Sequence, residues 1–403
     1  MKESIFVKNI PSILFSLFIL LSSYSVYMVL FPALNYVRYV TPFICFVIFI
    51  FFYLRHSIKV RVLVEPFIVA FILLFLSFIN GSNLVSTLLH VSNMLMIYYA
   101  VSVFILKEYD LMYSLYKAIF FLAVFFLVCY IVFDYLLPQA GLSYFFNYST
   151  GLDGVSKKIV YTGHYNIYFR WATSTEIFGF KILRCSGFCW ESGQYQIYLN
   201  YALMYLLFFD ESRERCKTLR IIVISVAIIS TASTMGYILA LVLFSGAVLN
   251  MHSKIRYLLL ITMAGVVALL IYQLIIEKQE VANVSYTART SEFEYLSDIL
   301  FNNGPLGKGL NTQIIVNGLL CFYWDFGYAA IGVSVLLIFY IFKSNPFFIH
   351  IRHKIFFIIW LLLSLFNEPI QYMNFTFAIV SIISLGVVLR KEVFLQKKIT
   401  TLH

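Results

Sequence analysis

The stretch Arg184-Cys-Ser-Gly187-Phe-Cys-Trp190-Glu191-Ser192-Gly193-Gln194-Tyr195 is the densest run of chemically capable side chains in this chain, and it leads straight into an apolar segment that contains Asn200. Arg184 offers a planar, permanently charged fork that grips phosphate or carboxylate oxygens through two parallel hydrogen bonds, and it keeps its charge when partly desolvated. Glu191 supplies a carboxylate able to accept a proton. Gly187 and Gly193 allow a tight turn or a close backbone approach. Ser192 is expected to cap the following helix, which leaves Glu191 beside free backbone N–H groups that favour a negative charge. A plainer account of the same residues is a helix cap with an interfacial Trp190, and both accounts stay open here.

A second polar cluster is Ser285-Tyr286-Thr-Ala-Arg289-Thr-Ser-Glu292-Phe-Glu294. On a helix, Arg289 lies between Tyr286 and Glu292 at three-residue spacing, so the three share a face; a surface helix held by such pairs is the alternative. It is followed by Asn302-Asn303-Gly304-Pro305-Leu306-Gly307-Lys308-Gly309. This lacks the GxxxxGK[ST] order of a nucleotide loop, but it makes a bent connection whose N–H groups can meet an anion. Ser230-Thr-Ala-Ser-Thr234-Met-Gly236-Tyr237 interrupts an apolar run that is too long for one span. Two helix ends are expected there, tolerable inside a membrane only where protein satisfies the freed groups. Asp325 and Glu368 stand near the ends of late apolar runs, and ionisable groups at that depth are functional candidates by default. In the interval before Arg184, Arg170 is a further candidate and His164 reads as a solvated loop residue. The seven histidines are scattered, and their closest pair, His350 and His353, has no carboxylate or cysteine beside it, so no metal site is expected.

The elements that must position these residues follow from composition. Of 403 residues, 62% are hydrophobic and 12% charged, with a mean hydropathy of +0.88. Soluble domains carry about a quarter charged residues, so a multi-spanning membrane protein is expected. The long unbroken apolar runs exclude a membrane β-barrel, which alternates apolar and polar positions. The fold expected is an all-α, polytopic helix bundle forming one integral membrane domain over 1–403, with about twelve spans. They fall near 11–32, 36–54, 63–80, 87–107, 114–137, 194–209, two within 219–249, then 256–276, 320–342, 354–368 and 373–389. The first is too long for a cleaved signal peptide and is expected to remain as a span.

Charge orients this bundle. With both termini cytoplasmic, each short inner loop is basic, as the positive-inside rule requires, and most of the 29 Lys and Arg fall inside. Two large external loops remain, 138–193 and 277–318. They keep Lys157, Lys158, Arg170, Lys181, Arg184, Arg289 and Lys308 against that bias, which points to an anionic ligand at the outer face. The net charge of +10 does not point to nucleic acid, because no dense basic cluster is interleaved with stacking aromatics. Cys185 and Cys189 lack a partner pair and read as ordinary small residues.

In order, Arg184…Gly187-Phe…Trp190-Glu191-Ser192-Gly193, then Ser230-Thr-Ala-Ser-Thr234-Met-Gly236-Tyr, Ser285…Arg289 and Gly304-Pro305-Leu306-Gly307-Lys-Gly309 resemble the bacterial O-antigen and capsular polysaccharide polymerases (Wzy-like) and the related O-antigen ligases. The resemblance covers roughly residues 180 to 312 by motif and the whole chain by span pattern. Ser192 stands where that family often has proline.

The resemblance implies a GT-C-like architecture and an inverting, metal-independent glycosyltransferase without cofactor. Its donor and acceptor would be undecaprenyl-diphosphate-linked glycans at the outer face of the cytoplasmic membrane, and a flippase and a chain-length regulator would be its pathway partners. Arg184 and Arg289 would neutralise the diphosphate leaving group, and Glu191 would take or orient the acceptor hydroxyl's proton. Arg170, Trp190, Tyr195, Tyr286, Lys308, Asp325 and Glu368 would contact substrate, with Gly307 and Gly309 shaping the loop above it. A ligase resembles this pattern but usually carries a histidine in its late external loop, and 277–318 contains none. A flippase or other transporter is the remaining alternative and would show internal repeats, of which none is evident.

Overall fold

The computed structural model describes residues 9–23, 25–31, 60–80, 84–141, 146–150, 159–164, 167–171, 174–177, 180–210, 216–249, 255–280, 307–308, 317–343, 347–348, 350–368 and 373–389, together with single positions between 36 and 51. In chain order its elements begin with α1 (Ile10–Leu21), α2 (Val26–Leu30), α3 (Val60–Ile79), α4 (Leu84–Leu106) and α5 (Leu111–Ile131). From α5 the chain passes through a π-helical turn, Val132–Leu136, and a last turn, Leu137–Gln139. Five strands follow: β1 (Phe146–Thr150), β2 (Ile159–His164), β3 (Tyr168–Trp171), β4 (Ser174–Ile177) and β5 (Phe180–Leu183). Then come α6 (Ser192–Met204) with its own π-turn Tyr205–Phe209, α7 (Cys216–Ser230), α8 (Thr234–Leu249) and α9 (Ile255–Glu280). The late helices are α10 (Gly318–Phe326), α11 (Tyr328–Phe342), α12 (Ile351–Asn367) and α13 (Asn374–Val388).

The protein is mostly helical, and among the described residues three helices are long and apolar enough to cross a membrane: Leu84–Leu106, Leu111–Gln139 and Ile255–Gln273. The pair α10 and α11 passes that test together, but it bends by 117° at Gly327, so the single straight helix expected over 320–342 is broken there. The first expected span is likewise broken. Ser22 and Ser23 end α1, their hydroxyls donating to the Ile19 carbonyl, and the chain restarts as α2. The run expected at 194–209 is a helix, but every residue of α6 is buried within the protein. Its glutamines, Asn200 and tyrosines are spread around the helix, so no single side could be left to hydrocarbon.

The all-α expectation also misses two small antiparallel sheets between Phe146 and Leu183, β1-β2-β3 and β4-β5. In the first sheet the register sets Tyr161 opposite Trp171 and Thr162 opposite Arg170, residue types that sheets favour.

The chain divides into two compact units. One comprises 1–23, 36–114 and 288–403 and has both α13 and α3 packed against α4. Polar groups lock this unit internally: Asn374 donates to the Ser22 hydroxyl at 2.9 Å and pairs with Asn93, and Ser12 and Ser114 share a 2.7 Å hydrogen bond. The other unit comprises 24–35 and 115–287 and is centred on α6, which packs against α7 and α8.

Candidate functional site

Three elements of the second unit hold the segment 183–189. On α5, the Tyr130 hydroxyl donates to the Leu183 carbonyl at 2.8 Å. The Cys185 N–H donates to the Ser230 carbonyl at 2.9 Å, fastening the segment to the end of α7. The Val26 N–H donates to the Phe188 carbonyl, and Ser25 and Cys189 form an antiparallel bridge, so the start of α2 covers the far side. Between these anchors the chain turns at Gly187, whose φ of +57° suits glycine; a Cβ there would lie 2.5 Å from the Tyr195 ring. Arg184 is buried within this turn and lies in electrostatic reach of Tyr237.

The turn delivers the chain to the start of α6. Glu191, not Ser192, is the N-cap residue: its backbone is extended, Ser192 is the first helical residue, and the Glu191 side chain makes no capping hydrogen bond. The carboxylate therefore stands at the positive end of the helix without being consumed there. Along the same stretch, Ser186 Oγ, Trp190 Nε1, Ser192 Oγ, Gln194 Oε1, Tyr195 OH and Asn200 Oδ1 are buried without a hydrogen-bond partner. Each such group costs about 1–3 kcal/mol if left unmatched, so this concentration calls for bound water or a ligand rich in hydroxyls. Ser192, Gln194, Tyr195 and Asn200 point to different sides of α6, so they line the surroundings of the helix and not a single face.

The break expected at 230–237 is present, and its freed groups are accounted for. The Ala227 carbonyl accepts from Ser230 Oγ at 2.8 Å and Ile228 from Thr231 Oγ1 at 2.7 Å. The Ile229 carbonyl accepts from Tyr237 OH at 2.8 Å, and Ser230 accepts from Cys185. Ala232 takes a left-handed φ of +46° at the corner. Asn200 of α6 donates to the Gly236 carbonyl at 3.3 Å, while a Cβ on Gly236 would reach Gln196 at 3.0 Å. The hydroxyl-rich sequence of the break thus replaces helix hydrogen bonds with side-chain ones and seats α6 against it. The two motifs 184–195 and 230–237 are brought together.

A further cluster gathers around Asp134, a residue that the sequence reading did not single out. Asp134, on the π-turn, accepts from Arg170 Nε at 2.6 Å through Oδ1 and from Tyr168 OH at 2.9 Å through Oδ2. His164 Nε2 lies 3.5 Å from Oδ1, and its ring lies beside those of Phe133 and Tyr168, which also contact each other. The Asp134 side chain is 1% exposed and that of Arg170 12%. His164 is therefore a buried partner of an acid and not the solvated loop residue expected. Arg170 is an ion-pair partner, so its charge is largely met within the protein. A signal for Asp134 existed: it is an ionisable group inside the apolar run 114–137. Burial pushes the Tyr168 phenol well above its usual range, with the Cys185 and Asp134 charges adding to the rise. Burial likewise raises the Cys185 thiol to about 12.

Asp325 and Glu368 belong to the first unit. Asp325, 1% exposed, lies in the last turn of α10 just before the bend, where Cys321 Sγ approaches Oδ2 at 3.8 Å. Glu368, also buried, ends α12, and the backbone of Gly318 lies against its carbonyl. Gly307 has a φ of +77° and packs on the Asp325 carbonyl, while the Lys308 N–H donates to the Trp324 carbonyl at 2.8 Å, so residues 307 and 308 are fixed to the bend. Tyr286, Arg289 and Gly309 lie outside the described residues. Among the described residues, no three His, Cys, Asp or Glu side chains are grouped to hold a metal ion.

Comparison of the chain with protein-family models, with curated proteins and with solved structures returned no match.

Proposed function

We propose that this chain is a polysaccharide polymerase of the bacterial cytoplasmic membrane, joining undecaprenyl-diphosphate-linked repeat units at the periplasmic face. Its architecture would be a GT-C-like bundle of about twelve spans with both termini cytoplasmic. The observation that carries the reading is the stretch 184–200, where a buried arginine, an unspent carboxylate at a helix start and a set of unpartnered neutral polar atoms occur together. In this reading a hydroxyl of the incoming unit attacks the anomeric carbon of the growing chain from the face opposite its diphosphate. A new glycosidic C–O bond forms, the bond to the diphosphate oxygen breaks, and the hydroxyl proton passes to Glu191. Arg184, with Arg289 of the second loop, would meet the charge growing on the leaving oxygen, a role strengthened where water is scarce. The neutral donors and acceptors of Ser186, Trp190, Gln194 and Tyr195 suit sugar hydroxyls and ring faces.

The test is purified protein in lipid with a synthetic undecaprenyl-diphosphate repeat unit and no nucleotide sugar, the products being resolved as a ladder. Wild type is expected to make the ladder, Arg184→Ala and Arg289→Ala to lose it, and Glu191→Gln to slow it at least about a hundredfold. Full activity in Glu191→Gln removes that residue as the base. A second reading, lipid-linked-sugar transport, draws on the bent pair α10–α11 with buried Asp325, since broken helices bearing acids are a transporter trait. Movement of the lipid-linked sugar between leaflets without a ladder would favour it. Transfer of the glycan to lipid A-core instead of to another repeat unit would mark a ligase.

A further inference from the structure

The residue that would meet the leaving group, Arg184, is fixed by its neighbours on both sides. Before it, the Leu183 carbonyl is held by Tyr130, whose own oxygen is met by Tyr135 at 2.8 Å. After it, the Cys185 side chain lies close to Tyr168, whose hydroxyl is held by Asp134. Tyr130, Asp134 and Tyr135 all belong to α5 and its π-turn. Residues 130 and 135 are five apart, a spacing that an α-helix sets on different faces and that the wider π-turn brings together. One helix with its π-turn therefore meets the arginine's segment twice, directly through Tyr130 at Leu183 and through the Asp134-held Tyr168 beside Cys185.

We propose that Tyr130 and the Asp134–Tyr168 pair are positioning residues that hold the Leu183–Cys185 segment and thereby aim Arg184. The proposal rests on the polymerase reading for what Arg184 meets, but not for the holding itself. Asp134 is suited to this task because Arg170 balances its charge at 2.6 Å, leaving Oδ2 as a fixed acceptor for Tyr168. A fixed guanidinium matters most in the transition state, where the leaving oxygen carries its charge, so loosening it lowers kcat more than it raises KM.

Tyr130→Phe and Tyr168→Phe remove one hydroxyl each at nearly constant volume, and amide hydrogen exchange across 183–189 reads the segment directly in the full-length protein in lipid. Exchange at Cys185 is expected to quicken about tenfold in either variant while α6 and α8 stay as protected as in wild type. In the ladder assay, kcat is expected to fall about tenfold with KM for the lipid-linked unit changed less than about twofold. Unchanged exchange at Cys185 in both variants overturns the proposal, as does a loss of protection spread evenly over the unit, which marks a general structural role. A wild type that makes no ladder defeats the polymerase reading alone, since the exchange measurement still decides whether these residues hold the segment.

Discussion

The N–H of Cys185 donates to the carbonyl of Ser230 at 2.9 Å, and through this one bond the turn carrying Arg184 closes a helix end that would otherwise leave a carbonyl unmet inside the bundle. Site geometry and helix termination are thus the same interaction. Gly187, two residues on, is the tightest point of the turn. Gly187→Ala would put a methyl group 2.5 Å from the Tyr195 ring and force a side chain into a left-handed φ. A loss of about 2 kcal/mol or more is expected, read as a lower melting temperature in detergent, with activity falling further than stability.

Ala232 tests the break from the other side. Its φ of +46° costs about 1–2 kcal/mol for a residue with a Cβ. Replacing it with glycine relieves that strain but removes a buried methyl worth about 0.8 kcal/mol and adds backbone freedom to the unfolded chain. These terms nearly cancel, so Ala232→Gly is expected to leave stability within about 0.5 kcal/mol. Ala232→Val, which places a branched side chain in the same conformation, is expected to cost about 2 kcal/mol or more. Thermal denaturation of the pair distinguishes a strained corner from an ordinary one.

Arg170 and Asp134 form a buried pair, and the cost of breaking it depends on which partner remains. Arg170→Met leaves a carboxylate buried beside His164 and Tyr168, and a loss of about 3–5 kcal/mol is expected. Arg170→Met with Asp134→Asn removes both charges and is expected to recover at least about half of that loss. Denaturation of wild type, both single variants and the double variant measures the coupling, and an additive result would mean the pair is not energetically joined.

Cysteine chemistry reads burial directly. Cys216 is exposed, whereas Cys185 is buried with its thiol raised to about 12. At pH 8 a thiol-alkylating reagent is expected to label Cys216 within minutes and Cys185 only after denaturation, peptide mass spectrometry giving the ratio. The same shift has a pH consequence. The folded state holds the Cys185 proton more tightly than the unfolded chain does. Its stabilising share is therefore complete below the unfolded value near 9.0 and is lost as pH rises from there to about 12.

How much of this was legible depended on whether the signal was local. The break at 230–237 was readable because hydroxyl and glycine residues interrupt an apolar run, and helices such as α4 and α9 announced themselves by length. The Arg184–Tyr195 stretch stood out by density of polar groups. Asp134 was present as a lone acid in an apolar run, yet its partners, His164, Tyr168 and Arg170, come from strands that begin some thirty residues later. Those strands were hidden because β2 and β3 are short and their pattern is polar and aromatic rather than strictly alternating. The bend at Gly327 was hidden for a different reason: the apolar run continues through it, and hydropathy does not register direction.

The burial of α6 on every side has a consequence for how the protein is made. A segment bearing Gln194, Gln196 and Asn200 partitions poorly into hydrocarbon alone, because polar side chains at mid-helix oppose release from the translocon. In the proposed bundle it would be accommodated only once α7 and α8, which follow it in the chain, are there to enclose it and to offer the Gly236 carbonyl to Asn200. In the membrane arrangement proposed above, biogenesis would retain α6 near the insertion machinery until its successors are synthesised, and release the three as one cooperative packet.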